Sequence, residues 1–277
     1  MRIQHNITAL NAHRNLTNNN SAVGKNLEKL SSGYRINRAG DDAAGLAISE
    51  KMRAQIKGLE TAQKNAEDGV ALVQTAEGAL TEVHSMLNRM VALATQSANG
   101  TYSSTNRSEM QKEIVQLQDE INRISDSANF NGMKLFNGEN VGITLHVGET
   151  SDDFNQLGVK LDKMHSETIG GTAGMVSKID ISNVAGAKEA INIANQAIDH
   201  VSSMRSTFGA LQNRLDHTIN NLGVQTENIT AAESRIRDVD MAKEMMAYTK
   251  NNILVQSAQA MLAQANQVPQ GVLQLLQ

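Results

Sequence analysis

Apolar residues recur through most of the chain at a spacing typical of helices that pack along a shared seam. From Ile48 to Ala94 they follow one another at a mean step of about 3.5 residues, the period of helices that wind around each other. Met110 to Ala128 repeats in steps of four and three after a short polar break, which favours an antiparallel return. From Val184 to Leu222 the period comes back. The pattern predicts a mainly α-helical fold, an elongated antiparallel helical bundle.

Capping residues suggest where two of these helices begin. Asp41 and Asp42 stand just before the long seam, and an aspartate there can accept a hydrogen bond from a backbone N–H of the first turn. Asn106, with Glu109 three residues later, has the form of a capping box for the second stretch.

The middle of the chain changes from a helical to a strand period. Glycines crowd together here with three of the four phenylalanines. Here the apolar residues Val141, Ile143, Leu145 and Val147 alternate with smaller or polar residues. Such alternation is typical of a strand with one buried face. Asn137-Gly138 is a dipeptide that tight hairpin turns favour. We predict one or two small β-hairpins in this region, followed by an irregular link.

The two ends carry a further seam that has no evident partner within the chain. Its positions, which we call the terminal seam residues, are Ile3, Ile7, Leu10, Val23, Leu27 and Leu30 near the amino end, and Leu254, Ala258, Met261, Ala265, Val268, Val272 and Leu275 near the carboxyl end. Isolated helices are marginal in water. We therefore expect each end to be half of an interface completed mostly by another molecule, and self-association is the economical choice of partner.

These patterns divide the chain into parts. The predicted parts are terminal helices that form a separate coiled-coil assembly domain (1–35 and 234–277), polar connectors (36–42 and 220–233), an outer helical bundle domain (43–131 and 182–219), and a β-hairpin or irregular outer tip (132–181).

Composition excludes several classes of function. The chain of 277 residues has no cysteine, so disulfides, thiolate nucleophiles and cysteine-based metal sites are excluded. Its net charge is -4 without a basic run, which argues against a nucleic-acid partner. No continuous apolar run of membrane-spanning length occurs, so we expect no membrane insertion. The stretch Met1 to Leu10 lacks the apolar core of a cleaved signal peptide.

The sequence also lacks the usual patterns of catalytic chemistry. Its seven histidines contain no pair spaced by four and no HExxH pattern, and neither GxSxG nor a glycine-rich phosphate loop is found. Asp41 and Asp42 fit helix capping better than an acid-base pair. We expect a protein that is not an enzyme and that binds no cofactor and no metal.

Several long segments resemble bacterial flagellin, the subunit of the flagellar filament. They are Leu27 to Arg53 (LEKLSSGYRINRAGDDAAGLAISEKMR), Leu93 to Gly100 (LATQSANG), Phe130 to Leu135 (FNGMKL), Glu233 to Val239 (ESRIRDV) and Met261 to Leu276 (MLAQANQVPQGVLQLL). The length and order of these segments make the resemblance specific, and it covers roughly residues 1–145 and 183–277. The short middle region implies a form without large variable outer domains.

The resemblance implies a function, a location and partners. A flagellin self-assembles through its terminal helices, which form the inner filament core, with the bundle outside them. It is exported unfolded, without a cleaved signal peptide, and becomes an extracellular part of the bacterial flagellum, which serves motility. The implied partners are further copies of the chain, hook-associated and cap proteins, the flagellar export apparatus and an export chaperone.

Monomeric flagellins are also ligands of Toll-like receptor 5 in a host, and the resemblance places the receptor-binding residues at Arg89, Leu93, Gln96 and Glu113. Steps of four and three put the first three on one helical face. That face is displaced by about 200° from the seam, so we expect it to point away from the bundle core.

Two alternatives stay open. Leu93 could instead belong to a wide apolar stripe with Met86 and Met90, with Arg89 merely solvated. The whole chain could instead be a hook-associated filament protein, which shares a diluted version of the ends, or a coiled-coil component of a secretion apparatus.

Overall fold

The computed structural model describes residues 6–138, 142–169 and 174–275, with the backbone alone for 268–275. The helices are α1 (Ile7–Ser32), α2 (Ala43–Ala98), α3 (Ser104–Ser127), α4 (Val184–Arg237) and α5 (Met241–Leu275), and the strands are β1 (Asn129–Phe130), β2 (Met133–Lys134), β3 (Gly142–His146) and β4 (Gln156–Lys160). Short 3-10 turns lie at Asp153–Asn155 and Val176–Lys178. The prediction of a mainly helical chain with a small strand region in its middle is confirmed.

The chain divides into two compact units. Unit 1 comprises Met1–Ile56 and Glu227–Gln277, and unit 2 comprises Lys57–Thr226. The expected connector at 220–233 is helical, because α4 continues without a break to Arg237. The polar composition of this stretch does not end the helix, since it contains no proline and its seam continues at four-and-three spacing. The half-buried residues that continue the seam are Thr226, Ile229, Glu233 and Ile236.

Unit 2 has a core made by one face of each of its helical segments. The buried residues of this core include Val73, Ala76, Leu80, Val83, Leu87 and Met90 of α2, Ile114 and Ile121 of α3, and Ala190, Ala194, Ala197, Val201 and Phe208 of α4. Arg107 donates from Nε to the Ser97 carbonyl at 2.9 Å. Because Glu113 then meets Arg89 farther back along α2, α3 runs antiparallel to α2 as predicted.

Two predicted capping arrangements have different outcomes. Asp42 Oδ1 accepts from the Gly45 N–H at 2.9 Å, so Asp42 caps α2 as expected. The capping box at Asn106 is wrong: α3 begins at Ser104, and Ser103 is its N-cap, accepting from the Asn106 N–H at 3.3 Å. Ser103 provides the capping acceptor three residues before Asn106, the position that we expected.

The strands form two antiparallel pairs, in agreement with the prediction of one or two hairpins. The tight turn lies at Asn131-Gly132, with φ values of 49° and 80°, and joins β1 to β2. Asn137-Gly138 is therefore not the turn of a strand pair, although Gly138 also has a positive φ. In the second pair, Gly142 lies opposite Lys160 and His146 opposite Gln156. Val141 lies outside the described residues.

The described residues of the range 132–181 pack along the helices of unit 2. The side chain of Leu145 lies directly over Gly69, and the Asn65 side chain donates to the His146 carbonyl at 3.0 Å. Farther along, Gln118 of α3 donates to the Val176 carbonyl at 2.6 Å. Buried apolar residues hold the irregular link in place, namely Leu161, Met164, Ile169, Val176, Ile179 and Ile181.

A candidate self-assembly surface on the terminal helices

Within unit 1, α1 and α5 pack against each other in antiparallel orientation. The Asn6 amide at the start of α1 donates to the Ala265 carbonyl late in α5, at 2.8 Å. The half-buried residues of this inner seam include Ala9, Ala12, Leu16, Asn19, Val23, Asn26 and Leu30 of α1 and Glu244, Tyr248, Asn251, Val255, Ala258, Leu262 and Ala265 of α5. Both sets advance in alternating steps of three and four, the pattern of a two-helix coiled coil.

The inner seam is small and partly polar. No residue of α1 is fully buried. When the Asn26 amide takes the orientation that matches its donors with acceptors, its nitrogen donates to Glu244 Oε1 at 3.1 Å and its oxygen accepts from Asn251 Nδ2 at 3.1 Å. A polar residue at a seam position fixes the register of a coiled coil but lowers its stability. The helix pair is therefore aligned, yet weakly held by its own contacts.

A second apolar set on the same two helices points outward. Ile7 is 59% exposed, Leu10 60% and Met261 66%. Leu27, Met246, Ile253 and Leu254 are exposed as well. We call these seven exposed residues the outer stripe. Two of them, Leu254 and Met261, line a groove of about 610 Å³ between α1 and α5, together with Ala258 of α5 and Asn11, Asn15, Asn18 and Asn19 of α1.

The terminal seam residues therefore divide between two roles. Val23, Leu30, Ala258 and Ala265 are half-buried in the inner seam, whereas Ile7, Leu10, Leu27, Leu254 and Met261 belong to the outer stripe. Ile3 lies outside the described residues, as do the side chains of Val268, Val272 and Leu275. The sequence pattern identified the apolar positions but could not separate those that the chain covers itself from those that it leaves exposed.

A backbone clasp joins the segment after α1 to the junction of α4 and α5. The Arg35 N–H donates to the Arg237 carbonyl at 2.7 Å, and the Val239 N–H donates to the Gly33 carbonyl at 3.0 Å. Tyr34 and Asp238 face each other between these bonds as an antiparallel bridge. Gly33 adopts a φ of 74° at the end of α1, a conformation that glycine enters without strain.

Arg237 is the central side chain of this clasp. Its guanidinium lies 4.9 Å from the centre of the Tyr34 ring, within the range of a cation–π contact. Its Nη1 donates to Glu50 Oε1 of α2 at 2.6 Å, and this bond lowers the pKa of the Glu50 carboxyl. Our sequence reasoning missed these contacts, although Tyr34 and Glu50 lie in the flagellin-like segment Leu27 to Arg53 and Arg237 lies in Glu233 to Val239.

Asp41 and Ile36 order the turn that precedes α2. Asp41 Oδ2 accepts from the Asn37 N–H at 3.2 Å and the Arg38 N–H at 3.0 Å, and these backbone hydrogen bonds lower the pKa of Asp41. Ile36 is 2% exposed and lies against Gly45, where a Cβ atom would approach its Cδ1 to 2.8 Å. Asp41 thus stabilises the turn, while Asp42 caps the helix.

Of the residues that we expected to bind the receptor in unit 2, some are exposed and one is buried. Arg89 Nε donates to Glu113 Oε1 at 2.7 Å, and both side chains are exposed. Gln96 is exposed and donates to the Tyr102 hydroxyl at 2.9 Å. Leu93, however, is 2% exposed and belongs to the core. Our expectation that Leu93 points away from the core is wrong, because the apolar stripe of α2 is wide enough to include it beside Met90.

The arrangement described so far is a pair of packed helices with exposed apolar residues, together with a helical core in unit 2. In the described part of the chain, no set of three metal-ligating side chains converges. Among the helices in that part, none has the length and apolar character needed to cross a bilayer.

Comparison with known proteins assigns the family. The bacterial flagellin N-terminal helical region matches residues 3–141, and the C-terminal helical region matches residues 191–276. The chain belongs to the bacterial flagellin family. It is 52% identical to a flagellin of Halalkalibacterium halodurans and 50% identical to a flagellin of Bacillus subtilis, in both cases over the full length of both chains.

The fold also resembles that of a protein whose sequence is much less similar. A structure described as that of a flagellar hook-associated protein from Vibrio parahaemolyticus superposes with a TM-score of 0.62 and 16% identity, covering 72% of this chain and 100% of the other. At that identity the likeness concerns the fold alone.

Proposed function

We propose that the chain is a structural subunit that polymerises through its terminal helices into the bacterial flagellar filament. The observation that carries this proposal is the outer stripe, since α1 and α5 already use one seam against each other and leave a second set of large apolar residues in water. Burying each of these side chains contributes about 1.5–3 kcal/mol. Further copies of the chain are the simplest molecules that could cover the stripe.

The geometry of the stripe favours an open polymer. Exposed large apolar residues lie on both helices of the pair, so one copy can contact more than one further copy. Heterologous contacts between copies produce helical filaments when the rotation does not close. On this proposal α1 and α5 form the inner core of the filament, while residues 43–131 and 182–219 form the outer bundle and 132–181 lie on the outside.

Removal of residues 253–277 tests the proposal. The truncated chain should remain a helical monomer, because the core of unit 2 contains none of the deleted residues, but it should neither seed nor extend filaments. Turbidity, sedimentation and electron microscopy would follow polymerisation, and circular dichroism would follow folding. Filaments formed by the truncated chain would refute the proposal, and so would a full-length chain that never polymerises.

The remaining partners follow from the same proposal. A filament subunit would meet hook-associated and cap proteins at the ends of the polymer. It would reach the extracellular flagellum through the flagellar export apparatus, held unfolded by an export chaperone and without loss of a signal peptide. Support comes from the full-length likeness to two flagellins. The alternatives of a hook-associated protein or a coiled-coil secretion component would instead give a chain that caps or binds filaments without growing its own.

A second proposed activity is recognition of the monomer by Toll-like receptor 5. The ion pair of Arg89 and Glu113, with Gln96 two turns farther along α2, supplies a polar surface that a receptor can contact. Leu93 is buried and would contribute indirectly, by holding this part of α2 in place. Receptor ectodomain should bind monomers of the parent more tightly than those of Arg89→Ala or Glu113→Ala. Lys112→Ala, in a neighbouring exposed ion pair, is the matched control. Equal binding by all four chains would refute the receptor assignment.

A further inference from the structure

Phe154 is a large apolar side chain that unit 2 leaves almost entirely in water. It is 79% exposed, the highest value among the exposed large hydrophobic residues of the described chain. Phe136 and Phe208 are buried, and Phe130 packs against the core. In a chain with only 3% aromatic residues, an exposed phenylalanine requires an explanation.

The loop that carries Phe154 is ordered by its own hydrogen bonds. The Asn155 amide donates to the Thr150 carbonyl at 3.0 Å and to its hydroxyl at 2.7 Å. The Val147 N–H donates to the Asn155 carbonyl at 2.8 Å. Gly148 leaves the space that the Asn155 side chain fills, since a Cβ there would collide with it. Phe154 is thus held at the tip of a preorganised loop, and ordering it on binding costs little entropy.

Phe154 lines a pocket of its own chain, and a neighbouring groove that shares Arg214 with this pocket has the size and lining to accept such a side chain from another copy. It has a volume of about 400 Å³ and lies between β4 and α4, where Gly158, Phe208, Ala210 and Leu211 provide apolar walls. An apolar cavity of roughly 150 Å³ already holds a benzene ring. Gly158 keeps the groove open, because nothing lies within 4 Å of the position of its missing Cβ. Phe154 does not line this groove in its own chain.

The charges around the two features are complementary. Asp152 and Asp153 directly precede Phe154, so the exposed ring sits beside two carboxylates. Lys160 and Arg214 stand at the groove, and no ion pair is formed by Lys160 within the described residues. Arg214 also lines the pocket beside Asp152 and Phe154 of its own chain. The exposed Phe154 ring with its acidic neighbours is therefore complementary to the groove with its basic neighbours, both in apolar character and in charge.

We propose that Phe154 of one copy of the chain inserts into the groove between β4 and α4 of a second copy. Phe154 and the groove are different parts of unit 2, so each copy can offer both, and the contact can repeat from copy to copy. It would link the outer units of neighbouring copies, in addition to the contacts of the terminal helices. The inference rests on the proposed function, because it takes the partner to be another subunit of the same polymer.

Site-directed cross-linking tests this contact, since the chain contains no cysteine of its own. One chain carries Phe154→Cys and the other Ala210→Cys. After copolymerisation and mild oxidation, we expect covalent heterodimers to exceed either homodimer. Filaments that yield no heterodimer, or mainly Phe154→Cys homodimers, would overturn the contact and leave the proposed function intact. A parent chain that does not polymerise would overturn both.

Two variants test the fit without a cross-link. Gly158→Val should fill the groove while suiting a strand, and it should raise the critical concentration for polymerisation on the order of ten-fold, as expected for loss of an aromatic anchor. Gly142→Val, on the neighbouring strand but outside the groove, is the matched control. Asp153→Lys should weaken polymerisation, and Arg214→Glu in the same chain should restore it. Equal behaviour of the two glycine variants, or no restoration by the second charge change, would contradict the contact.

Discussion

Arg237 donates to Glu50 Oε1 at 2.6 Å and so ties the end of α4 to the early part of α2. The Arg237 side chain is only 12% exposed, and its position over Tyr34 connects the same guanidinium to the clasp between residues 33–35 and 237–239. One buried cation thus holds three segments of unit 1 in register. Within unit 1 the clasp joins the end of α1 to the start of α5, so the alignment of this helix pair depends on these bonds.

The clasp should weaken in acid. The hydrogen bond from Arg237 lowers the pKa of Glu50 in the folded chain. A carboxyl with a lowered folded pKa contributes stability above its unfolded pKa, and this contribution is lost as the pH falls through the folded value. We therefore expect hydrogen exchange at the Arg35 and Val239 amides to accelerate as the pH drops below the ordinary glutamate range, after correction for intrinsic exchange.

The Glu50→Gln variant separates this effect from general acid loosening. It should exchange faster than the parent at these two amides near neutral pH and should show less change on acidification. Glu120→Gln removes a carboxyl that pairs with Arg123 on the exposed side of α3, and it should leave both amides unaffected. Identical exchange in Glu50→Gln and the parent would show that the ion pair does not hold the clasp.

Gly45 should be far less tolerant of a methyl group than Gly24. A Cβ at Gly45 would lie 2.5 Å from Asp42 Oδ2 and 2.8 Å from Ile36 Cδ1, so Gly45→Ala should cost about 1–3 kcal/mol through overpacking. Gly24 has open space around it, so Gly24→Ala in the middle of α1 should stabilise by about 0.5–1 kcal/mol. Thermal unfolding of the monomers measures both. Opposite signs are the expected outcome, and equal shifts would contradict the packing described for Ile36.

Leu93 should behave as a core residue of unit 2. Leu93→Ala should lower the stability of the monomer by about 2–5 kcal/mol, because it empties a buried site. Arg89→Ala, which removes an exposed ion pair, should leave the Tm nearly unchanged. Chemical denaturation at a monomeric concentration measures the difference. If Leu93→Ala unfolds like the parent, its side chain is not part of the core.

The period of apolar residues predicted the helices and the antiparallel return of α3, because burial alone sets that pattern. It could not locate the strand pairs exactly: Asn131-Gly132 and Asn137-Gly138 are both plausible turns, and only the tertiary position of β2 selects the first. The polar composition of 220–233 led us to predict a connector. A mostly exposed helix needs apolar residues only along its seam, so polar composition does not exclude a helix there. The clasp was missed because Glu50 and Arg237 are distant in sequence, and the two flagellin-like segments that contain them do not show which of their residues meet.

The same limit applied to the assembly surface. Val23 and Leu27 both look like seam residues, because each is apolar and the two are four apart. Only the antiparallel position of α5 makes Val23 half-buried while Leu27 remains exposed. A three-and-four pattern specifies that a helix has a partner, but it does not say whether that partner belongs to the same chain.

The most direct test of the outer stripe is seeded polymerisation of Met261→Glu beside Gln259→Glu. Both variants add one negative charge to an exposed position of α5, but only Met261 belongs to the outer stripe. Circular dichroism should show equal helicity for the two monomers. We predict that Gln259→Glu extends filament seeds at close to the parental rate and that Met261→Glu does not extend them. Extension of seeds by Met261→Glu at the parental rate would contradict assembly through this stripe.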